Sequence, residues 1–192
     1  MPLTPQRLPY LRLKLGAMAL LMLGRRQAAV SVFDAMLRRW PNDAYALASR
    51  AHLHAEMGAN ELALTDAERL VEQHSDRKAA DWFNLAFLRD ATDRHPAAEA
   101  AFRRAVALDP KLDRAWYGLG LSLIRQGRLD EAIDALKRNT ELQPMSPFGW
   151  YQLARVHANR SEPEKARKII AHLQRFEPQV AAQLQRETGL AP

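Results

Sequence analysis

The chain of 192 residues contains no cysteine. This absence excludes a disulfide framework, a thiolate metal site and a cysteine nucleophile. Glycine-rich phosphate loops and the HExxH and GxSxG motifs are missing as well. His52 and His54 lie two residues apart on a predicted helix, so they point about 200° apart and cannot share a metal ion. The sequence therefore predicts a protein that is not an enzyme and that carries no cofactor and no metal.

Long hydrophobic runs are also scarce. The apolar run from Leu15 to Leu23 follows Arg12 and Lys14 and resembles the core of a signal peptide, but Arg25 and Arg26 come next without a small-residue cleavage site. The run is too short to span a bilayer. We therefore expect no integral membrane span and a cytoplasmic location, with a signal peptide as the weaker interpretation.

The net charge of +6 and the pI near 10.0 would suit a nucleic-acid binder, but the excess of positive charge lies at the two ends. Residues 1–43 carry 7 basic and 2 acidic side chains, residues 44–146 carry 14 and 16, and residues 147–192 carry 7 and 4. A nucleic-acid-binding protein is expected to have a continuous basic stripe with stacking aromatics. The charge distribution therefore predicts no nucleic-acid partner.

The tryptophans and prolines repeat at a fixed interval. Trp82, Trp116 and Trp150 are each separated by 34 residues, and Pro110, Pro144 and Pro178 keep the same step. A period of this length predicts a solenoid of stacked helical hairpins.

The period divides the chain into five units and a terminal helix. The predicted units are residues 10–43, 44–78, 79–112, 113–146 and 147–180, with an irregular lead-in over residues 1–9 and a cap helix over residues 181–188. Glycine and proline do not cluster into a linker, so we expect a single domain over residues 1–192. The predicted inner turns lie at Gly24, Gly58, Asp93–Pro96, Gly127 and Arg160–Pro163.

Two columns of small residues recur when the units are aligned. The twentieth place is always alanine, and the place that faces it is alanine or glycine, which predicts close approach of the two helices in each hairpin. The first column is Ala29, Ala63, Ala98, Ala132 and Ala166; the second is Ala17, Ala51, Ala86, Gly120 and Ala154.

The unit of residues 113–146 resembles the tetratricopeptide repeat (TPR). The resemblance is carried by Trp116, Leu119–Gly120, Ala132, Leu136 and Pro144, and by the same places in the other units. It implies an all-α fold, an α-solenoid in which five helix-turn-helix hairpins form a right-handed superhelix closed by a short C-terminal capping helix. Two departures stand out: Arg50 replaces the usual leucine, and Asn139 stands in an alanine place.

The resemblance also implies a concave groove, lined by the first helix of each hairpin, that takes a peptide or helix of a partner protein. The groove places of the last three units are held by Phe83, Asn84, Phe87, Arg114, Tyr117, Leu121, Arg125, Phe148, Tyr151, Gln152 and Arg155. Their aromatic members are either binding anchors or rings that pack against a neighbouring helix. Only Asn84 and Arg114 match the five-residue carboxylate clamp of some members, so we expect a general peptide groove instead.

The first unit carries a different surface at the same places. We expect an apolar association face formed by Leu11, Leu15, Met18, Leu21 and Met22. Methionine adapts to varied surfaces, so this face is either covered by residues 1–9 or used for a homodimer or for docking on a membrane protein.

Two functions remain open from the sequence. The first is an adaptor or scaffold, similar to a co-chaperone, that binds a segment of a partner protein in the groove. The second is an assembly subunit that is docked permanently in a larger complex through its terminal repeats.

Overall fold

A computed structural model describes residues 7–190 of the chain, and this range is entirely helices and short turns. It divides into two compact units, the first ending at Thr92 and the second beginning at Asp93. The first unit contains α1 (Arg7–Met22), α2 (Arg26–Arg39), α3 (Ala44–Glu56), α4 (Asn60–Gln73) and α5 (Ala79–Ala91). The second contains α6 (His95–Leu108), α7 (Asp113–Arg125), α8 (Leu129–Leu142), α9 (Pro147–Asn159), α10 (Pro163–Leu173) and α11 (Pro178–Thr188). The single-domain organisation remains a prediction.

Consecutive helices of the first unit pack on one another around a core at the α1–α3 end. Ala17 and Ala29, which belong to the two columns of small residues, are completely buried there. Phe33, Met36 and Leu47 fill the space beside them without any exposed surface. Small side chains thus bring the helices together while large ones fill the core, as close packing requires.

Arg50 occupies a leucine place of the repeat without disturbing this packing. Its Nε and Nη2 donate to the two carboxylate oxygens of Asp66 at 2.8 and 2.6 Å, and its Nη1 donates to Asp34 at 2.6 Å. Asp66 is 3% exposed. A buried carboxylate is tolerated when it is paired and hydrogen-bonded, so the departure at Arg50 is matched by Asp66 on α4.

In the second unit, α11 packs against α9 and α10 and extends the core. Leu136, Ile170, Leu173 and Leu184 have no exposed surface. Gly120 lies so close to Leu136 that an added Cβ would stand 2.8 Å from its side chain. The small residue of the repeat motif is therefore required by the leucine of the following helix.

A residue in the left-handed conformation lies between the two helices of every repeat. These residues are Gly24, Gly58, Asp93, Gly127 and Ser161, with φ between 57° and 75°. At Gly127, the amide donates to the carbonyl of Ile124 at 3.0 Å, and the next amide, of Arg128, donates to Leu123 at 2.9 Å. The same pair of bonds recurs at Gly24, Gly58 and Ser161. This is the Schellman arrangement, which satisfies the last carbonyls of a helix.

The tryptophans secure the turns between repeats. The indole N–H of Trp116 donates to the carbonyl of Pro110 at 3.0 Å, and that of Trp150 donates to Pro144 at 2.9 Å. In the first unit, Trp82 makes the same bond to Ser75 at 2.6 Å. Each ring therefore packs beside its helix while its polar edge binds the preceding turn.

The ends of the chain differ from the sequence expectation. Helix α1 begins at Arg7, so the predicted irregular lead-in is wrong for residues 7–9, and residues 1–6 lie outside the described part of the chain. Proline is tolerated in the first turn of a helix, where its missing N–H has no partner, and Pro9 stands there. For the same reason, α11 begins at Pro178 and not at residue 181.

Candidate functional site

Two clefts lie on different sides of the second unit, one of about 540 Å³ and one of about 450 Å³. The second cleft is lined by α9 and by the last turn of α11. Its lining residues are Tyr151, Arg155, Ala158, Asn159, Glu187 and Thr188. Tyr151 and Arg155 are predicted groove residues, so the structure brings these two together at one concave feature.

Glu187 organises the polar side of this cleft. The hydroxyl of Tyr151 donates to its carboxylate, 2.6 Å from Oε2 and 2.8 Å from Oε1, and Gln183 Nε2 donates to Oε1 at 2.7 Å. The guanidinium of Arg155 lies 5.6 Å from the centroid of the Tyr151 ring, and its Nε is 4.0 Å from Glu187. The hydrogen bond to Glu187 raises the pKa of Tyr151, and the same bond lowers the pKa of Glu187.

The other predicted groove residues of the second unit lie on α7 and α9. Phe148 is 67% exposed, although it is one of the largest apolar side chains of the unit. Tyr117 and Tyr151 pack in part against the core, so these rings also serve the packing of the unit. Gln152 and Leu121 are half-buried, and Arg114 and Arg125 are exposed. Phe148 is thus the aromatic residue in this set that packing explains least.

The predicted groove residues of the first unit lie on α5. Phe87 is 59% exposed and Asn84 is exposed, whereas Phe83 is half-buried. Phe87 is therefore a second solvent-facing ring, in the other compact unit.

The association face predicted on α1 is divided by the structure. Leu11, Leu15, Met18 and Met22 are exposed, whereas Leu21 packs against the core of the first unit. Leu8 on α1 and Leu23 in the turn after it are also exposed, and both were missed from the sequence. Their signal was present: Leu8 continues the spacing of the other four.

Glu187 and Gln183 were also missed. The period places them 34 positions after Gly149 and Leu153, which are core residues of α9. Helix α11 instead buries Ala181 and Leu184 and leaves Gln183 and Glu187 exposed. Those polar side chains contact the groove places of α9.

The larger cleft lies among α8, α9 and α10 and mixes both signs of charge. Lys137, Lys165 and Lys168 line it together with Asp134 and Glu141. On its wall, buried His157 Nδ1 lies 2.6 Å from Glu162 Oε2, a hydrogen bond that lowers the pKa of Glu162.

Within residues 7–190, no group of three His, Asp or Glu side chains could hold a metal ion. In the same range, no helix is both long and apolar enough to cross a membrane.

Two curated relatives match part of the chain. One is the cell division cycle protein 27 homolog of Caenorhabditis elegans, 26% identical over 125 residues, which are 65% of this chain and 16% of that protein. The other is the chloroplastic PsbB mRNA maturation factor Mbb1 of Chlamydomonas reinhardtii, 34% identical over 76 residues, which are 39% of this chain and 12% of that protein. The chain thus spans less than a fifth of the length of these relatives.

Solved structures share the fold over most of the chain. A crystal structure of MamA superposes with a TM-score of 0.79 at 19% identity, covering 92% of this chain and 93% of that one. YrrB, described as a TPR protein with an unusual peptide-binding site, gives a TM-score of 0.80 at 19% identity, covering 88% of each chain. These likenesses confirm the predicted all-α solenoid fold. The sequence profile of the tetratricopeptide repeat matches residues 15–81 and 83–147, and the chain therefore belongs to the tetratricopeptide repeat family.

Proposed function

We propose that this protein is an interaction adaptor that holds a peptide or a helical segment of a partner protein on the α7–α9–α11 side of its second unit. The observation that carries the proposal is the pairing of an exposed aromatic ring, Phe148, with the cleft that begins one helical turn further along α9 at Tyr151. Concave sites that bind ligands commonly combine apolar surface with a few fixed polar groups.

The two parts of the site suit different parts of a ligand. Phe148 offers apolar area for a large side chain of the partner, as an anchor residue does. Arg155 and Asn159 offer hydrogen-bond donors in the cleft, and Glu187 offers an acceptor. Tyr151 and Gln183 already hold the Glu187 carboxylate in place, so little side-chain freedom is lost when a ligand binds there.

The comparisons support a binding role of this kind. YrrB is a TPR protein with an unusual peptide-binding site, and the fold of this chain is similar. The repeat family supplies the scaffold, whereas the side chains at the groove places decide the ligand.

The proposal is tested with peptides selected on the full-length protein from a displayed random library and then measured by fluorescence anisotropy. Loss of an anchor of about 2 kcal/mol weakens binding roughly 30-fold, and this is the expected effect of Phe148→Ala. Met145→Ala is the matched control, because Met145 is equally exposed but precedes α9 in the turn. Equal loss in both variants, or unchanged affinity in Phe148→Ala, would exclude this surface as the site.

A permanent assembly subunit is the second candidate, favoured by the exposed apolar residues of α1 in the first repeat. A subunit of this kind aggregates when it is produced alone and becomes soluble with its complex. An adaptor stays monodisperse at low concentration, so light scattering of the purified chain distinguishes the two.

A further inference from the structure

Helix α1 carries an exposed apolar stripe with coiled-coil spacing. The stripe consists of Leu8, Leu11, Leu15, Met18 and Met22, which follow one another at steps of three, four, three and four residues. All five are exposed, with Leu15 at 63% and Met22 at 88%. Alternating steps of three and four are the pattern of the a and d places of a heptad, which insert between the side chains of a facing helix.

The opposite face of the same helix is already used. Ala17 is completely buried, and Tyr10, Leu13, Leu20 and Leu21 pack against the core of the first unit. A helix that is apolar on all sides is normally covered on all sides. The stripe is therefore a surface that lacks its partner helix among the described residues.

We propose that the stripe pairs with the stripe of a second copy of this chain, in antiparallel orientation. The proposal is independent of the groove on the second unit. The two-fold axis passes between Leu15 and Met18, so that Leu15 meets Met18 of the other copy and Leu11 meets Met22. Each of these layers joins one leucine to one methionine, whereas Leu8 lies beyond the last layer, and a two-fold axis makes the two surfaces self-complementary.

The charges of α1 select this orientation. Arg7, Arg12 and Lys14 lie in its first half, residues 15–23 carry no charge, and α1 has no acidic residue. A parallel pair would place the cations of both copies side by side, which is unfavourable at short distance. In the antiparallel pair, the basic half of each helix lies along the uncharged half of the other. Ala19, exposed beside the stripe, leaves room for the long basic side chains.

The exposed apolar area approaches that of a standard dimer interface. Leu23 extends the stripe at its C-terminal end and is also exposed. Together the six side chains expose on the order of 700 Å² per copy, which exceeds the largest apolar patch of a typical monomer, about 300–600 Å². A standard interface takes about 800 Å² from each partner. Residues 1–6 of the chain itself contain two large apolar side chains, Met1 and Leu3, compared with the six exposed apolar side chains of this surface.

Sedimentation velocity of the full chain tests the association. We expect a dimer for the wild type across the micromolar range and a monomer for Leu15→Glu, with unchanged helical circular dichroism in both. Leu62→Glu is the matched control, because Leu62 is 56% exposed on α4 of the same unit, and we expect it to remain a dimer. A monomeric wild type would overturn the proposal and leave the stripe to residues 1–6 or to another partner. A dimer that survives Leu15→Glu would overturn it as well.

Single cysteines test the orientation cleanly, because the chain has none of its own. Mixed Leu11→Cys and Met22→Cys proteins are expected to form a disulfide between the two variants under mild oxidation. Leu11→Cys alone is expected to form none: in the antiparallel pair its two copies lie about 16 Å apart along the helix, far beyond the roughly 7 Å limit between Cα atoms of a disulfide. A disulfide in Leu11→Cys alone would show a parallel pair and overturn the antiparallel arrangement.

Discussion

Asn139 of α8 fills the space that Gly149 of α9 leaves open. A Cβ at Gly149 would overlap Asn139 Oδ1 and stand 3.1 Å from Thr140 Cγ2. From this position the amide of Asn139 donates to the backbone carbonyl of Asp113 at 2.9 Å. The unusual asparagine and the unusual glycine are thus one matched substitution, since the same two places one repeat earlier are held by Ala105 and Ala115.

The pair predicts a rescue by a second mutation. Gly149→Ala is expected to destabilise the protein by about 2 kcal/mol, because it overpacks a buried site and displaces a hydrogen-bonded amide. The double variant Asn139→Ala/Gly149→Ala recreates the Ala–Ala combination of the preceding repeat and is expected to regain more than half of the loss. Urea unfolding followed by circular dichroism measures both values. A double variant as unstable as the sum of the single variants would contradict the matched pair.

Arg50 predicts a similar coupling through charge. Arg50→Leu restores the residue that the repeat favours, yet it leaves buried Asp66 without its cation, so we expect a loss of about 3 kcal/mol. Asp66→Ala/Arg50→Leu removes both charges and introduces the alanine that Ala101 and Ala135 supply in later repeats. We expect this double variant to be more stable than Arg50→Leu alone, as measured by thermal unfolding. If Arg50→Leu alone matched the wild type, the ion pair would have no role in stability.

The free energy of unfolding is expected to depend on pH through Glu99. Burial alone would raise its pKa, but hydrogen bonds from Arg103, Gln126 and Arg128, at 2.8, 3.0 and 2.6 Å, outweigh it and lower the pKa below the ordinary 4.5. A carboxyl group with a lowered pKa in the folded state stabilises the protein above its ordinary pKa and loses this effect as the pH falls through the folded value.

We therefore expect Glu99→Gln to be less stable than the wild type at pH 7, by about 2 kcal/mol, and the difference to shrink as the pH falls below about 4. The measurement is the free energy of unfolding of the two proteins over this pH range, with the difference between them as the readout. A difference that stays constant into acid would contradict the assignment.

Glycine in place of serine at a left-handed turn is expected to stabilise the protein. Ser161 has a φ of 57°, where a residue with a side chain is strained by about 1 kcal/mol. Ser161→Gly is expected to raise the melting temperature by roughly 2 °C, because relief of strain exceeds the added freedom of the unfolded chain. Gly127→Ser, at the equivalent turn, is expected to lower it. Nothing lies within 4 Å of a Cβ added at Gly127, so its effect reports conformation alone.

The sequence predicted the repeat better than the site. Residues that recur at the same places of each repeat pack against each other within a hairpin. For this reason the spacing alone predicted the small residue at Gly120 and the large residue at Leu136 beside it. The bond between Tyr151 and Glu187 was not found, because it depends on how α11 docks on α9 and on side-chain rotamers. Leu21 and Leu15 were assigned to one face by register, yet Leu21 packs against the core of the first unit whereas Leu15 is exposed. Departures from the repeat such as Arg50 were visible in the sequence, but the residues that contact them could be identified only from the folded structure.

The fluorescence of the hydrogen-bonded tryptophans reports on local unfolding of the chain. Trp82, Trp116 and Trp150 each hold one inter-repeat turn through the indole N–H, so the emission of each ring depends on whether that one turn is intact. A set of proteins that keep one of these tryptophans, with the others and Trp40 changed to phenylalanine, would show by fluorescence which repeat opens first. Local melting along the solenoid becomes visible without any added dye.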